Sequence, residues 1–225
     1  MIQSKLSNLL STFKSRGLRE GVRFVYYGLG EELQERRLGI QTAGLVSPED
    51  LGHESAELLE YTPAPYNALR YCLSQVSVRP GEDSFLDYGC GMGRVIILAA
   101  TKPFRRVLGV EIASELVEKA RENIERASHR LKCDVQVELA DARTFHVPDD
   151  VTVVHLYNPF TGDSLAQAVG QIRKSLQRRP RNLTIMFGNP GRFDAMFGGQ
   201  DWLTKETFRS FYPKTGYAIY TCRPD

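Results

Sequence analysis

The feature that most constrains the fold is a regular alternation of short apolar segments with amphipathic ones from residue 62 onward. Segments 85–88 and 151–157 are apolar-rich and of strand length, whereas in 114–129 and 164–178 the apolar residues recur at helical spacing. Strands that alternate with helices pair in parallel through right-handed crossovers. The pattern therefore predicts an α/β fold with a doubly wound, mostly parallel sheet, which binds ligands at the carboxyl ends of its strands.

Residues 1–60 have a different character, helical and basic. Apolar residues recur at helical spacing up to Gly17, and again from Leu18 to the glycines at 28 and 30. Over residues 1–30 the chain carries five basic residues and one acidic residue. We therefore expect an N-terminal helical appendage over 1–60 and a ligand-binding domain over 61–225. The two helices are expected to pack their apolar faces on that domain; the alternatives are a cap over the site or a basic segment on a membrane surface.

Composition excludes several classes of protein. The net charge is only +2, from 29 basic and 27 acidic residues, so we expect no nucleic acid partner. The longest apolar run, 95–100, has six residues, whereas a bilayer-spanning helix needs about 20. The four cysteines form no C-x-x-C pair and the four histidines show no ligand spacing, so no metal site is expected. Reduced thiols and the lack of an export signal predict a cytoplasmic protein.

A glycine-rich turn follows the first strand of the alternating region. It has the sequence D-Y-G-C-G-M-G over 87–93, and its alternate glycines let a ligand approach the backbone. The spacing matches neither the dinucleotide fingerprint nor the P-loop, and glycine-rich turns serve many nucleotides. The turn alone therefore indicates a ligand without specifying its class.

Three acidic residues are more informative than the glycines. Asp87, Glu111 and Asp141 stand at the ends of three successive predicted strands, so their carboxylates should meet at one edge of the sheet. Like charges would repel a pyrophosphate, so this edge suits a ligand with cationic groups and no phosphate. S-Adenosylmethionine meets that requirement. The alternative is that each acid is an ordinary residue at a strand end.

Each polar group of S-adenosylmethionine has a candidate partner. Glu111 can accept hydrogen bonds from the ribose hydroxyls. Asp141 can accept one from the adenine amino group, while the Ala142 backbone N–H donates to a ring nitrogen. Asp87 and the Gly89 carbonyl can hold the ammonium group.

Segments 85–93, 109–111 and 140–142 resemble the cofactor motifs of the class I, seven-strand methyltransferases. The resemblance extends from about residue 60 to residue 225, and it implies a seven-stranded Rossmann-like sheet with S-adenosyl-L-methionine as cofactor. The sequence also resembles a bacterial branch described mainly as uncharacterised methyltransferases. More distantly it is similar to seven-strand protein-lysine methyltransferases, which share the Tyr-x-Pro segment that begins here at Tyr61. The cofactor-binding residues expected from the chemistry and the resemblance are Tyr61, Asp87, Gly89, Gly91, Gly93, Glu111, Ile112, Asp141 and Ala142.

The acceptor side is expected at the end of the fourth strand of the alternating region. There the sequence Tyr157-Asn158-Pro159-Phe160 resembles the N-P-P-Y/F motif of amino-group methyltransferases, without its second proline. In that family the Asn oxygen accepts from the target N–H groups and the aromatic ring packs on the acceptor, so these four residues are the candidate catalytic set. The alternative is a turn, for which Asn-Pro is typical. His155 is expected to be a core or supporting residue.

These observations predict an S-adenosylmethionine-dependent methyltransferase that acts on a nitrogen acceptor, on a protein (lysine-like) or on a small molecule. Two alternatives stay open. An O-methyltransferase of a small molecule would lose little turnover when the Asn158 side chain is removed. A catalytically silent module would bind the cofactor without transferring its methyl group.

Overall fold

The computed structural model describes residues 2–47, 59–158, 160–190, 200–211 and 215–222, with the side chains described from residue 17 onward. The helices are α1 (Ile2–Leu38), α2 (Tyr66–Ser74), α3 (Arg94–Ala100), α4 (Ser114–Ala127) and α5 (Gly162–Arg178). The strands are β1 (Ser84–Tyr88), β2 (Arg106–Glu111), β3 (Asp134–Leu139), β4 (Val151–Tyr157), β5 (Leu183–Gly188), β6 (Thr204–Phe211) and β7 (Thr215–Cys222).

The strands form one seven-stranded sheet in the order β3-β2-β1-β4-β5-β7-β6. Strands β1 to β5 pair in parallel, and β7 runs antiparallel between β5 and β6. The prediction of a doubly wound, mostly parallel α/β sheet is confirmed. The chain order reverses between β1 and β4, and a crevice opens at such a switch point beyond the carboxyl ends of the strands.

Both faces of the sheet are covered by apolar side chains. One core cluster joins β1 and β2 to α2 and α3, and a second joins β4 and β5 to α5. All five residues of β1 are buried, as expected of a central parallel strand. Packing therefore fixes the ends of the central strands. It also fixes the points at which the loops after these strands begin.

Helix α1 differs from the prediction in its length. The backbone leaves helical geometry at Gly17 (φ 75°, ψ 167°), where the sequence predicts a break, but the helix then continues to Leu38. The prediction that Gly28 and Gly30 end it is wrong. A glycine inside a helix costs only about 1 kcal/mol, which tertiary contacts readily offset.

The orientation of α1 also differs from the prediction. The second apolar stripe comprises Leu18, Val22, Val25, Tyr26 and Leu29; Val25 is half-buried, whereas the other four side chains are exposed, as is Leu33 one turn later. The opposite side carries Glu31 and Glu35, which form ion pairs with Arg94 on α3. These ion pairs hold the described part of α1 after the kink in place, together with Leu38 at its end, which is buried in the first core cluster. No helix in the described part of the chain has both the length and the apolar character needed to cross a bilayer.

Candidate active site

A cavity of about 320 Å³ opens at the carboxyl ends of β1, β2 and β4. It contains all three predicted acids, because the strands that carry them are neighbours in the sheet. Ten of the predicted site residues line it: Tyr61, Asp87, Gly89, Glu111, Ile112, Asp141, Ala142, Tyr157, Asn158 and Phe160. Gly91 and Gly93 belong to the same loop but are not part of the lining, and Pro159 lies outside the described residues.

The side chain of Tyr61 approaches the backbone of Gly91 closely. Gly91 has φ 52°, and a Cβ placed on it would collide with Cε2 of Tyr61. The Tyr61 hydroxyl donates to the Thr42 carbonyl oxygen at 2.9 Å, which fixes the ring over the loop. Because Gly91 has no Cβ, the Tyr61 ring can lie directly against the glycine loop.

Replacing Gly91 with alanine is expected to lower the free energy of unfolding by about 1–3 kcal/mol, because it adds backbone strain to a collision with Tyr61. Urea unfolding measures the change. Gly170→Ala is the matched control, since Gly170 lies inside α5 with open space around its Cβ position. That control should be neutral or stabilising by about 0.5–1 kcal/mol. Equal stability of the two variants would contradict the contact.

Glu111 is buried at the end of β2, and backbone groups already use most of its carboxylate. One oxygen accepts from Gly91 N at 2.9 Å, and the other from Ile112 N at 2.8 Å and Ala113 N at 3.1 Å. Burial raises the pKa of Glu111, although these three hydrogen bonds oppose the shift. A carboxylate has about four lone-pair positions, so binding both ribose hydroxyls requires one of these bonds to be exchanged.

Asp141 follows β3 and has a partner that the sequence analysis missed. The Arg143 Nε lies 2.8 Å from one Asp141 oxygen and 3.0 Å from the other, and the Arg143 backbone N–H also donates to the carboxylate. The Arg143 hydrogen bonds hold the pKa of Asp141 below its usual value, so the carboxylate is ionised at neutral pH. The sequence does indicate this contact, because Arg143 lies only two residues after Asp141.

Asp87 is the most deeply buried of the three acids, with 2% of its surface exposed. Its Oδ1 lies 2.7 Å from Nδ1 of His155, and its Oδ2 has no hydrogen-bond partner among the described residues. Burial raises the pKa of Asp87, and the neighbouring histidine opposes that shift. A buried oxygen with no partner on the wall of a cavity is suited to a ligand that donates a hydrogen bond.

Arg94, the first residue of α3, links α1 to the glycine loop and was not predicted as a site residue. Its guanidinium donates to Glu31 at 2.5 Å, to Glu35 at 2.9 Å and to the Thr42 hydroxyl at 2.7 Å. It also lies 4.4 Å from the centre of the Tyr66 ring. Arg94 is 3% exposed. Glu31, Glu35 and Thr42 are 52 to 63 residues away from Arg94 in sequence, so local patterns could not indicate them.

The side of the cavity where the sequence predicts the acceptor lies at the end of β4, which pairs with β5. Asn158 (φ 45°) and Asn189 (φ 53°) follow these strands in a left-handed conformation that few residues other than glycine adopt. The Asn189 amide nitrogen lies 3.4 Å from the Tyr157 hydroxyl, which is also 3.4 Å from the Thr215 hydroxyl. Phe160 is buried. Tyr157, Asn158 and Phe160 line the same cavity as Asp87.

Residues 85–179 match the family described as "Methyltransferase domain". The sheet order and this match identify the fold as the Rossmann-like α/β fold of methyltransferases. The predicted seven-stranded methyltransferase fold is therefore confirmed, and the matched segment runs from β1 to the end of α5.

Three relatives illustrate the similarity. The chain is 30% identical over 177 residues to an "Uncharacterized 37.1 kDa protein in transposon TN4556" of Streptomyces fradiae, covering 72% of this chain and 46% of the relative. It is 35% identical over 114 residues to a ribosomal protein L11 methyltransferase of Burkholderia cenocepacia, covering 50% of this chain and 36% of the relative. The structure of a ribosomal protein L11 methylase from Lactobacillus delbrueckii superposes with a TM-score of 0.53 at 16% identity, covering 70% and 78% of the two chains. The chain thus spans less than half the length of the curated relatives from Streptomyces fradiae and Burkholderia cenocepacia.

Proposed function

We propose that the protein is an S-adenosylmethionine-dependent methyltransferase that methylates a nitrogen acceptor on a protein or a small molecule. In this proposal residues 61–225 form the domain that binds the cofactor and the acceptor, and residues 1–60 form an appendage that braces it. The appendage acts through the ion pairs of Glu31 and Glu35 with Arg94 and through the Thr42 carbonyl oxygen, which accepts a hydrogen bond from the Tyr61 hydroxyl.

The observation that carries the proposal is the charge of the cavity wall. Asp87, Glu111 and Asp141 line one cavity, and Asp87 has a buried oxygen to which no described residue donates a hydrogen bond. The two arginines on the wall, Arg94 and Arg143, are each paired with carboxylates. The wall therefore suits a cationic ligand without phosphate better than a nucleotide.

Bound S-adenosylmethionine would supply a methyl group on a positively charged sulfur, which is reactive enough to need no covalent help from the protein. The residues of the chain then have to hold the acceptor in line, since positioning alone accounts for a large part of such catalysis. An amine must also reach the site without its proton. Tyr157 and Phe160 exclude water around it, which lowers the pKa of an ammonium group.

Asn158 is the proposed acceptor of a hydrogen bond from the target amine. Its left-handed backbone turns the chain at the end of β4, and the residue lines the cavity. A protein acceptor is favoured over a small molecule because the curated relative from Burkholderia cenocepacia is named for methylation of ribosomal protein L11.

The direct test is transfer of a labelled methyl group. The protein is incubated with radiolabelled S-adenosylmethionine and an extract of its host, and label in protein is separated from label in small molecules. Label in protein that survives mild base but is lost with the Asn158 variant described below supports the proposal. Label on oxygen identifies an O-methyltransferase, and calorimetric binding of the cofactor without any transfer identifies a silent module.

Replacing Asn158 with glycine is expected to lower the rate of methyl transfer about tenfold or more, because one hydrogen bond to the reacting amine is lost. Glycine accepts the φ of 45° without strain, so the variant removes the amide and leaves the turn. Calorimetry with S-adenosylhomocysteine should give an affinity within about twofold of the unaltered protein, a change below 0.5 kcal/mol. An unchanged rate would contradict the role of Asn158 and favour an oxygen acceptor.

A further inference from the structure

A buried line of three polar side chains crosses the sheet beneath the cavity. Asp87 on β1 and His155 on β4 are register partners, and Asp87 Oδ1 lies 2.7 Å from His155 Nδ1. On its other side, His155 Nε2 lies 2.9 Å from the hydroxyl of Tyr217 on β7. His155 has no exposed surface, and Tyr217 is 1% exposed. The proposed function does not use either of these two residues.

The chemistry of the line assigns its hydrogen bonds. An ionised carboxylate can only accept, so the Nδ1 of His155 carries the hydrogen that faces Asp87. The other ring nitrogen of His155, Nε2, forms the second hydrogen bond of the ring, with the Tyr217 hydroxyl. The tyrosine therefore fixes the ring orientation of His155, and His155 in turn fixes the carboxylate of Asp87.

His155 uses only one oxygen of the Asp87 carboxylate, and the other oxygen is Oδ2. Oδ2 of Asp87 is buried, lies on a residue that lines the cavity and has no partner among the described residues. A supporting hydrogen bond to one oxygen of a ligating carboxylate is a common way to orient the other. With Oδ1 held by His155, rotation of the carboxylate would break a buried hydrogen bond, so Oδ2 keeps its direction.

We propose that His155 and Tyr217 are positioning residues that hold Asp87 so that its Oδ2 binds the ammonium group at the amino-acid end of S-adenosylmethionine. This inference rests on the proposed function and deepens it, because it gives a role at the cofactor site to two buried residues, His155 and Tyr217, that the proposed function leaves unused.

The test compares two ligands by calorimetry. S-Adenosylhomocysteine has the amino-acid end, and 5′-methylthioadenosine keeps the adenosine and the sulfur but lacks that end. His155→Leu is expected to weaken S-adenosylhomocysteine about tenfold, as for a charge-assisted hydrogen bond that is misdirected, and to leave 5′-methylthioadenosine within about twofold. His155→Asn, whose amide nitrogen can take the place of Nδ1, should restore most of the difference.

Tyr217→Phe provides a second variant, because it removes only the hydroxyl and conserves the ring in the core. It should weaken S-adenosylhomocysteine by less than His155→Leu does, again without affecting 5′-methylthioadenosine. Equal weakening of both ligands, or of neither, would overturn the assignment. If the unaltered protein binds neither ligand, the proposed function itself fails, so the two failures are distinguishable.

Discussion

Replacing Arg94 with alanine is expected to lower the free energy of unfolding by about 3–5 kcal/mol, the usual cost of removing one partner of a buried ion pair. The side chains of Glu31 and Glu35 are only 19% and 12% exposed, so their charges lose their counterion without gaining full solvation. The hydrogen bond to Thr42 and the contact with the Tyr66 ring are lost as well. Urea unfolding followed by circular dichroism measures the change.

Arg36→Ala is the matched control for this substitution. Arg36 pairs with Glu32 one turn away on the same helix, but its side chain is 76% exposed. Exposed pairs of this kind contribute about 0.5 kcal/mol or less. Arg94→Lys should fall between the two, because it keeps the charge and loses most of the donors. A loss at Arg94→Ala no larger than at Arg36→Ala would show that the buried network does not hold α1 in place.

The same variant should show a characteristic pH dependence. Burial raises the pKa of Glu31 in the folded protein even with Arg94 opposing it, and removal of the arginine raises it further. A carboxyl group whose pKa is higher in the folded state binds its proton more tightly there, so folding is favoured at low pH and disfavoured as the pH rises through the folded-state pKa. The stability difference between Arg94→Ala and the unaltered protein should therefore be smaller near pH 5 than near pH 7.5, within the range where both remain folded.

Local patterns were sufficient to predict the sheet and the position of the cavity. Strand β4 has the predicted bounds, 151–157, and its residues are mostly apolar, as burial on both faces of a parallel sheet requires. The three acids line one cavity because each of them stands at or just after a strand end. Both results follow from the strand pattern and from the rule that parallel strands carry ligands at their carboxyl ends.

The contacts inside the site could not be predicted in the same way. His155 and Asp87 are 68 residues apart, and His155 and Tyr217 are 62 apart, so no spacing within one element indicates them. The outward apolar face of α1 follows from ion pairs that are equally distant in sequence. The type of a residue shows that it can accept a hydrogen bond, but only the folded chain shows which protein donors compete with a ligand for it.

Replacing Glu111 with alanine is expected to weaken S-adenosylmethionine binding by at least about tenfold. One charge-assisted hydrogen bond to the ribose contributes about 1.5–3 kcal/mol, and the effect approaches two such bonds if both hydroxyls are held. The substitution also leaves the N–H groups of Gly91, Ile112 and Ala113 without their acceptor, so the glycine loop loosens. Calorimetry measures the affinity, with Glu138→Ala on the neighbouring strand β3 as an exposed-acid control that should bind normally.

A thermodynamic cycle separates the ribose contact from the loop. S-Adenosylhomocysteine and its 2′-deoxy analogue are titrated into the unaltered protein and into Glu111→Ala. If Glu111 accepts from the 2′-hydroxyl, the deoxy substitution weakens binding to the unaltered protein by about 1.5 kcal/mol or more and has little effect on the variant. Loosening of the glycine loop weakens both ligands by the same amount. It therefore cancels when the cost of the deoxy substitution in Glu111→Ala is compared with its cost in the unaltered protein. A deoxy penalty of the same size in both proteins would assign the whole effect of Glu111 to the loop, and the ribose would need another partner on the cavity wall.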